Sequence, residues 1–144
     1  IDLPSIIAVE TGPYAAIEPA AGTDERVYQA LLKPHDHMAC NRREALPERL
    51  HYGRNPRVAA IICIAERGWT ILAGPPAYPV KGGAHGYDNQ DPEMLALFVA
   101  SGTGLSGDIG IVDNIEVYPL LMRLLGVAPL PSDASGALAK RLTK

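Results

Sequence analysis

Apolar residues in this chain fall into short runs separated by glycine and proline, and the period of each run sets the element it predicts. Residues 6–9 and 14–17 are two such runs, broken by Gly12-Pro13, which fits two short strands or one bulged strand. Gly22-Thr23-Asp24-Glu25 then supplies a helix start, with acidic residues where they oppose the positive end of the helix dipole. Val27, Ala30 and Leu31 recur on one face of that helix until Pro34 stops it. A strand is predicted around Met38-Ala39-Cys40. Residues 57–66 are nearly all apolar and rich in β-branched side chains, without alternation, so they predict a strand covered on both faces. Arg67-Gly68 turns that strand into residues 69–73, predicted as the second arm of a hairpin. These pieces read β-α-β-β, a small α+β unit over residues 1–73.

Beyond Ala73 the regular pattern stops. Residues 74–91 are rich in glycine and proline and carry no apolar period, so they form a long loop, a kind of segment that often serves function in compact domains. Residues 94–99 are a second run predicted to be buried, as a helix end or a strand, and residues 101–110 are a glycine-rich connection. Asp113 or Asn114 caps a helix that runs through Leu125 and closes at Gly126, with Leu120, Leu121, Leu124 and Leu125 as its expected core face and Pro119 disturbing its first turn. Loop, run and helix make up a second segment, residues 74–131. The tail, 132–144, is rich in Ser, Gly and Ala and is expected to fray. No internal repeat is present.

Composition narrows the partners. At 144 residues with 47% hydrophobic and 20% charged content, the chain is long enough for one domain with a buried core. A net charge of −3 gives no footprint for a nucleic-acid backbone, and Arg42-Arg43 is offset by Glu44 and Glu48. No run approaches the roughly 20 apolar residues needed to span a bilayer, and nothing at the N-terminus reads as a signal peptide. A chain that starts at Ile1 rather than Met reads as a processed piece or a segment of something longer. Cys40 and Cys63 could form one disulfide, but both lie in apolar strand-like segments, and two reduced, buried cysteines are the expected state.

Candidate chemistry concentrates at Gly82-Gly83-Ala84-His85-Gly86-Tyr87-Asp88-Asn89, where one imidazole stands between glycines beside a carboxylate and an amide. Flanking glycine lets the backbone take a positive φ or approach a ligand, and neutral imidazole is the commonest protein ligand for zinc. Upstream stand Leu50-His51-Tyr52-Gly53-Arg54-Asn55-Pro56-Arg57, and downstream Asn114-Ile115-Glu116-Val117-Tyr118-Pro119-Leu120-Leu121. In this order and spacing, the three segments resemble the C-terminal part of the nucleotide pyrophosphatase/phosphodiesterases, the type I phosphodiesterases of the alkaline phosphatase superfamily, over nearly everything from Ile1 to Pro131.

The resemblance implies an α/β fold, the C-terminal portion of an alkaline-phosphatase-like α/β/α architecture with the β-α-β-β unit as a subdomain. It further implies enzymes that cut phosphodiester and pyrophosphate bonds with two zinc ions and a threonine nucleophile, and a periplasmic or extracellular setting. His85 alone matches a family metal ligand. The threonine and the S-D-H-G-M type segment that carries other ligands have no counterpart here, so catalytic residues are expected in a missing N-terminal portion and an isolated fragment is expected to be inactive. A lipid or choline head-group phosphodiesterase of the same superfamily, or a non-catalytic binding or assembly module, are the alternatives. Partners are then a nucleotide or other small phosphodiester, the missing portion, and a second copy of the chain.

The other polar motifs have plainer readings. Asp88 either holds the His85 ring or shapes the loop through an Asx turn, and the turn is the expectation. His35-Asp36-His37 has no third or fourth ligand at a suggestive spacing, so it is not taken as a metal site. His51 and Arg54 are candidates to touch phosphate, but Tyr52 packing and an Asn55-Pro56 turn are favoured. Trp69 and Tyr78 are expected to pack in the core or hairpin. The family's usual G-P-x-F segment after Phe98 is replaced here by residues 101–107.

Overall fold

Stretches that are apolar on consecutive residues must be covered on both faces, and the fold is organised around the one that precedes Glu66. In a computed structural model, which describes residues 3–101 and 108–141, four strands form one antiparallel sheet: β1 (Ile6–Glu10), β2 (Tyr14–Pro19), β3 (Met38–Arg42) and β4 (Ile61–Ala65). Their spatial order is β1-β2-β4-β3, which places β4 inside the sheet. Side chains alternate along it. Ile61 and Cys63 pack with Ala15 and Ile17 of β2 and with Val27 and Leu31 of the helix α1 (Asp24–Leu31), while Ile62 packs oppositely with Ala16, Leu46 and Ala59. The predicted double coverage is therefore present, from α1 on one face and from the segment between β3 and β4 on the other. Val27 and Ile61 are fully buried, and each such side chain stabilises the fold by roughly 1.5–3 kcal/mol.

Helix α1 forms where its spacing predicts. Val27 and Leu31, four residues apart, face the sheet, and the Thr23 hydroxyl donates to the Ser5 carbonyl at 2.8 Å, tying the helix start to the chain entering β1. Arg42 lies over the Tyr28 ring at 3.7 Å from its centroid, a cation–π contact between β3 and the helix.

Four expectations are corrected in this part of the chain. Cys40 and Cys63 stand at the same rung of the β3–β4 ladder, with Cα atoms 4.0 Å apart, and form a disulfide rather than two reduced thiols. Only strand register decides this, because bridging requires Cα atoms within about 7 Å and sequence separation does not report distance. Residues 69–73 do not pair with β4 as a hairpin arm. Ile71 instead bridges Gly12, exchanging hydrogen bonds of 2.8 and 3.0 Å. Trp69 is half exposed and stacks on His37 at 3.7 Å, and Tyr78 is exposed, so neither is core. Residues 95–99 lie in neither helix nor strand, and Leu95, Leu97 and Val99 are exposed rather than buried.

The chain divides into two compact units, Ile1–Ala96 and Leu97–Lys144. In the second, α2 (Val117–Leu124) follows a 3₁₀ turn at Asn114–Glu116, the irregular start that Pro119 predicts. Gly126, at φ +68°, ends it: Gly126 N–H donates to Arg123 O at 3.1 Å and Val127 N–H to Met122 O at 2.9 Å, the paired bonds of a Schellman motif. Of the expected core face only Leu120 is buried, while Leu121, Leu124 and Leu125 are exposed. The tail does not simply fray, since Ala137–Arg141 forms helix α3 with Leu138 and Ala139 buried. Its anchor is Glu116. That carboxylate accepts from Ser135 N–H at 2.6 Å, Ser135 Oγ at 2.8 Å and Leu138 N–H at 3.3 Å. Burial opposes its ionisation, but these donors outweigh burial and hold the carboxyl below its ordinary range. The altered segment at 101–107 lies, beyond Ser101, outside the described residues.

Candidate functional site

The loop that carries His85 leaves the sheet unit after the Ile71–Gly12 bridge. Among the described residues, no hydrogen bond ties 72–85 to the rest of the unit. Gly82 and Gly86 take φ of +93° and +106°, conformations that side-chain-bearing residues rarely adopt, and His85 is exposed just before the second. Its ring makes no hydrogen bond among the described residues. Both nitrogens are thus open to a ligand.

Downstream of His85 the loop is fastened. Gly86 packs on Pro13 and Tyr14, where an added Cβ would lie 3.6 Å from the Tyr14 ring. The Tyr87 hydroxyl donates to Trp69 O at 3.0 Å. Arg49 donates through both terminal nitrogens to the two oxygens of Asp88, each at 2.6 Å, a bidentate geometry that adds directional specificity to charge attraction. Asp88 also accepts from Gln90 N–H at 2.9 Å, so the expected Asx-type turn is present and the ring-holding role is not. Arg49 first, and the Gln90 amide second, hold the Asp88 carboxyl below the usual carboxylate range. Further along, Arg67 donates to Glu93 at 2.8 Å, and Asp91 caps a 3₁₀ turn by accepting from Glu93 N–H at 3.0 Å.

The remaining candidates do not join this site. His35 Nε2 lies 3.0 Å from Leu31 O, and His37, at φ +62°, pairs through Nδ1 with Glu66 at 2.9 Å. The two rings have separate partners. His51 and Arg54 line an open cavity of about 420 Å³ with Tyr52, Asn55 and Glu48. Asn55 Oδ1 accepts from Arg57 N–H at 3.0 Å, the expected turn into the strand. Arg49 is the residue that sequence reasoning missed. It sits 39 positions from Asp88, and a single exposed arginine carries no local signal of such a pairing.

A zinc ion fits the chemistry of an exposed, unpartnered imidazole, but a structural or catalytic zinc needs three or four protein donors. Among the described residues no group of three His, Cys, Asp or Glu side chains is placed to hold a metal. Within the described residues, His85 is a single exposed imidazole with no second donor beside it. No helix of the described residues is long and apolar enough to cross a membrane.

Comparison with known proteins identifies the family. Residues 3–88 match the family model described as type I phosphodiesterase / nucleotide pyrophosphatase, a stretch that includes all four strands of the sheet and His85. Human ectonucleotide pyrophosphatase/phosphodiesterase family member 5 is 34% identical over 129 residues, taking in 88% of this chain and 27% of that protein. Mouse bis(5'-adenosyl)-triphosphatase is 32% identical over 137 residues, or 94% of this chain and 29% of the relative. Among solved structures, the human family member 5 superposes with a TM-score of 0.88 at 31% identity, over 100% of this chain and 39% of that one. An inactive form of the murine protein in complex with AMP gives 0.87 at 32% identity, over 98% and 38%. The chain spans less than two fifths of the length of each of these relatives.

Proposed function

The chain belongs to the type I phosphodiesterase / nucleotide pyrophosphatase family, and on that premise we propose that it is the C-terminal portion of a zinc-dependent hydrolase of phosphodiester or pyrophosphate bonds. His85 supplies one zinc ligand, and the threonine nucleophile and the other ligands come from sequence outside the chain. The observation that carries this reading is the unpartnered, glycine-flanked His85 inside the family-matched stretch. Bound zinc in such a site polarises the phosphoryl group and lowers the pKa of the attacking oxygen. This chain's own part is to present one imidazole on a loop that is fastened immediately downstream. A nucleotide substrate is favoured over a lipid or choline head group by two relatives, one named a bis(5'-adenosyl)-triphosphatase and one solved with AMP. The Cys40–Cys63 disulfide supports an oxidising compartment, periplasmic or extracellular.

Metal analysis tests the reading. In the enzyme that carries this segment, His85→Ala is expected to remove one of two zinc ions and most of the hydrolysis of a nitrophenyl nucleotide ester. Full zinc occupancy in that variant would remove His85 from the ligand set. The 144-residue chain alone is expected to show no turnover, and metal-dependent turnover by the homogeneous chain would show that the machinery is complete without an upstream portion.

A further inference from the structure

The His85 loop is tied on one side only. Residues 72–85 make no hydrogen bond to the sheet unit among the described residues, whereas Gly86, Tyr87, Asp88 and Glu93 each meet a partner there. The strength of these ties differs. The Arg67–Glu93 pair is monodentate, with both side chains more than half exposed, and such pairs hold little against solvent screening. Tyr87 contributes one neutral hydrogen bond to a backbone carbonyl. Arg49–Asp88 is bidentate and short, its carboxylate is about one-third exposed, and the same carboxylate is oriented by Gln90 N–H. A planar guanidinium fixes both distance and plane of the carboxylate, which a point charge cannot do.

We propose that Arg49 is a positioning residue for His85: through its fork on Asp88 it locks the loop three residues downstream of the imidazole and sets the direction from which that imidazole meets a metal. The proposal rests on the reading of His85 as a zinc ligand. Arg49 reaches the loop from the 3₁₀ turn Glu48–Leu50, and that turn belongs to the segment covering the second face of the sheet. The order of the metal-ligand loop is thereby coupled to packing against β4. A displacement of one ångström in a metal ligand is enough to degrade a site, and ligands gain precision from such outer partners.

Hydrogen exchange of the full chain, resolved to peptides over 86–91 and 61–65, provides the first arm. Arg49→Met is expected to speed exchange over 86–91 by about fivefold, the scale of a well-formed exposed ion pair, with β4 unchanged as an internal reference for folding. Arg49→Lys keeps the charge without the fork and is expected to fall between. Arg54→Met, which removes a loop arginine not paired to Asp88, is expected to match the unaltered chain. Unchanged exchange in Arg49→Met, or equal loosening in Arg54→Met, overturns the latch. Zinc titration of the enzyme that carries this segment provides the second arm, with zinc alone as the probe. Weakened binding in the order Arg49→Met, Arg49→Lys, unaltered protein supports the positioning role, and a loosened loop with unchanged zinc affinity overturns it. Zinc binding indifferent to His85→Ala refutes the ligand reading and with it the positioning role, leaving the latch to be judged on exchange alone.

Discussion

Replacing Gly53 with alanine separates two costs that are usually confounded. Gly53 has φ +102°, and a Cβ built there would come 2.4 Å from the Arg43 carbonyl oxygen and 2.9 Å from Leu46 Cδ1. The carbonyl has little room to retreat, because Arg43 N–H donates to Ala60 O at 3.0 Å and the Arg43 guanidinium to Val58 O at 2.9 Å. Gly68 has a comparable φ of +84° with nothing within 4 Å of the added carbon. The left-handed conformation costs a residue with a Cβ about 1–2 kcal/mol, a term common to both positions. Overlap with a packed neighbour adds roughly 1–3 kcal/mol at Gly53 only. Gly68→Ala is therefore expected to lose about 1–2 kcal/mol and Gly53→Ala about 2–5 kcal/mol. With each kcal/mol worth about 2–4 °C in a chain of this size, Gly53→Ala should melt several degrees below its counterpart. Urea unfolding followed by the single tryptophan, Trp69, reads the sheet unit directly. Equal losses at the two positions would refute the reasoning, because they would mean that the Arg43 backbone yields without cost.

Other consequences can be checked by standard means. Reduction of Cys40–Cys63, or Cys40→Ser with Cys63→Ser, should destabilise the sheet unit by about 3 kcal/mol, the chain-entropy value for a loop closed over 23 residues; a melt unaffected by reductant would contradict the bridge. Asp88 and Glu116 both have native carboxyl pKa values below their ordinary ones. Their contribution is therefore complete above the ordinary carboxylate range near about 4 and is lost as pH falls through the native values. Acidification below about pH 4 should loosen residues 86–91 and helix α3, seen as faster amide exchange, and raising the pH from 6 to 8 should not. Ile7 and Val9 on the outer strand β1 and, in the second unit, Leu121, Leu124 and Leu125 leave apolar surface exposed, which favours association. Light scattering of the isolated chain should show a dimer or larger species, and a clean monomer at high concentration would contradict this.

Much of the sheet unit was legible because its signals are local. Unbroken apolar sequence before Glu66 announces an interior strand, and Val27 with Leu31 before Pro34 announces a helix that packs by one face. Two cysteines allow the disulfide but could not decide it, since it depends on Cys40 and Cys63 falling on one rung of a ladder whose register no local signal sets. Arg49–Asp88 was hidden for the same reason, being a contact over 39 residues between two loops. Leu121, Leu124 and Leu125 show the opposite failure: their pattern predicts burial, but burial needs a second surface, and the described residues do not provide one for them. Glu116 carries no local signal of its anchoring role, which is visible only with Ser135 and Leu138 beside it. At the loop, glycine spacing singled out His85, while the side chains that fasten the loop carry no pattern of their own.

A covalent link between neighbouring strands also governs how the molecule comes apart under force or protease. The 23-residue separation between Cys40 and Cys63 is sealed off from extension, so pulling on the two ends yields roughly 75 Å less contour than the sequence length implies, recovered only after reduction. Peeling can begin at β1, at the far side of the sheet, but cannot free β3 from β4. A protease that nicks the backbone near His51 or Arg54 likewise leaves one molecule by mass until thiol is added, with Arg49 still joined to both halves of the sheet that anchors His85.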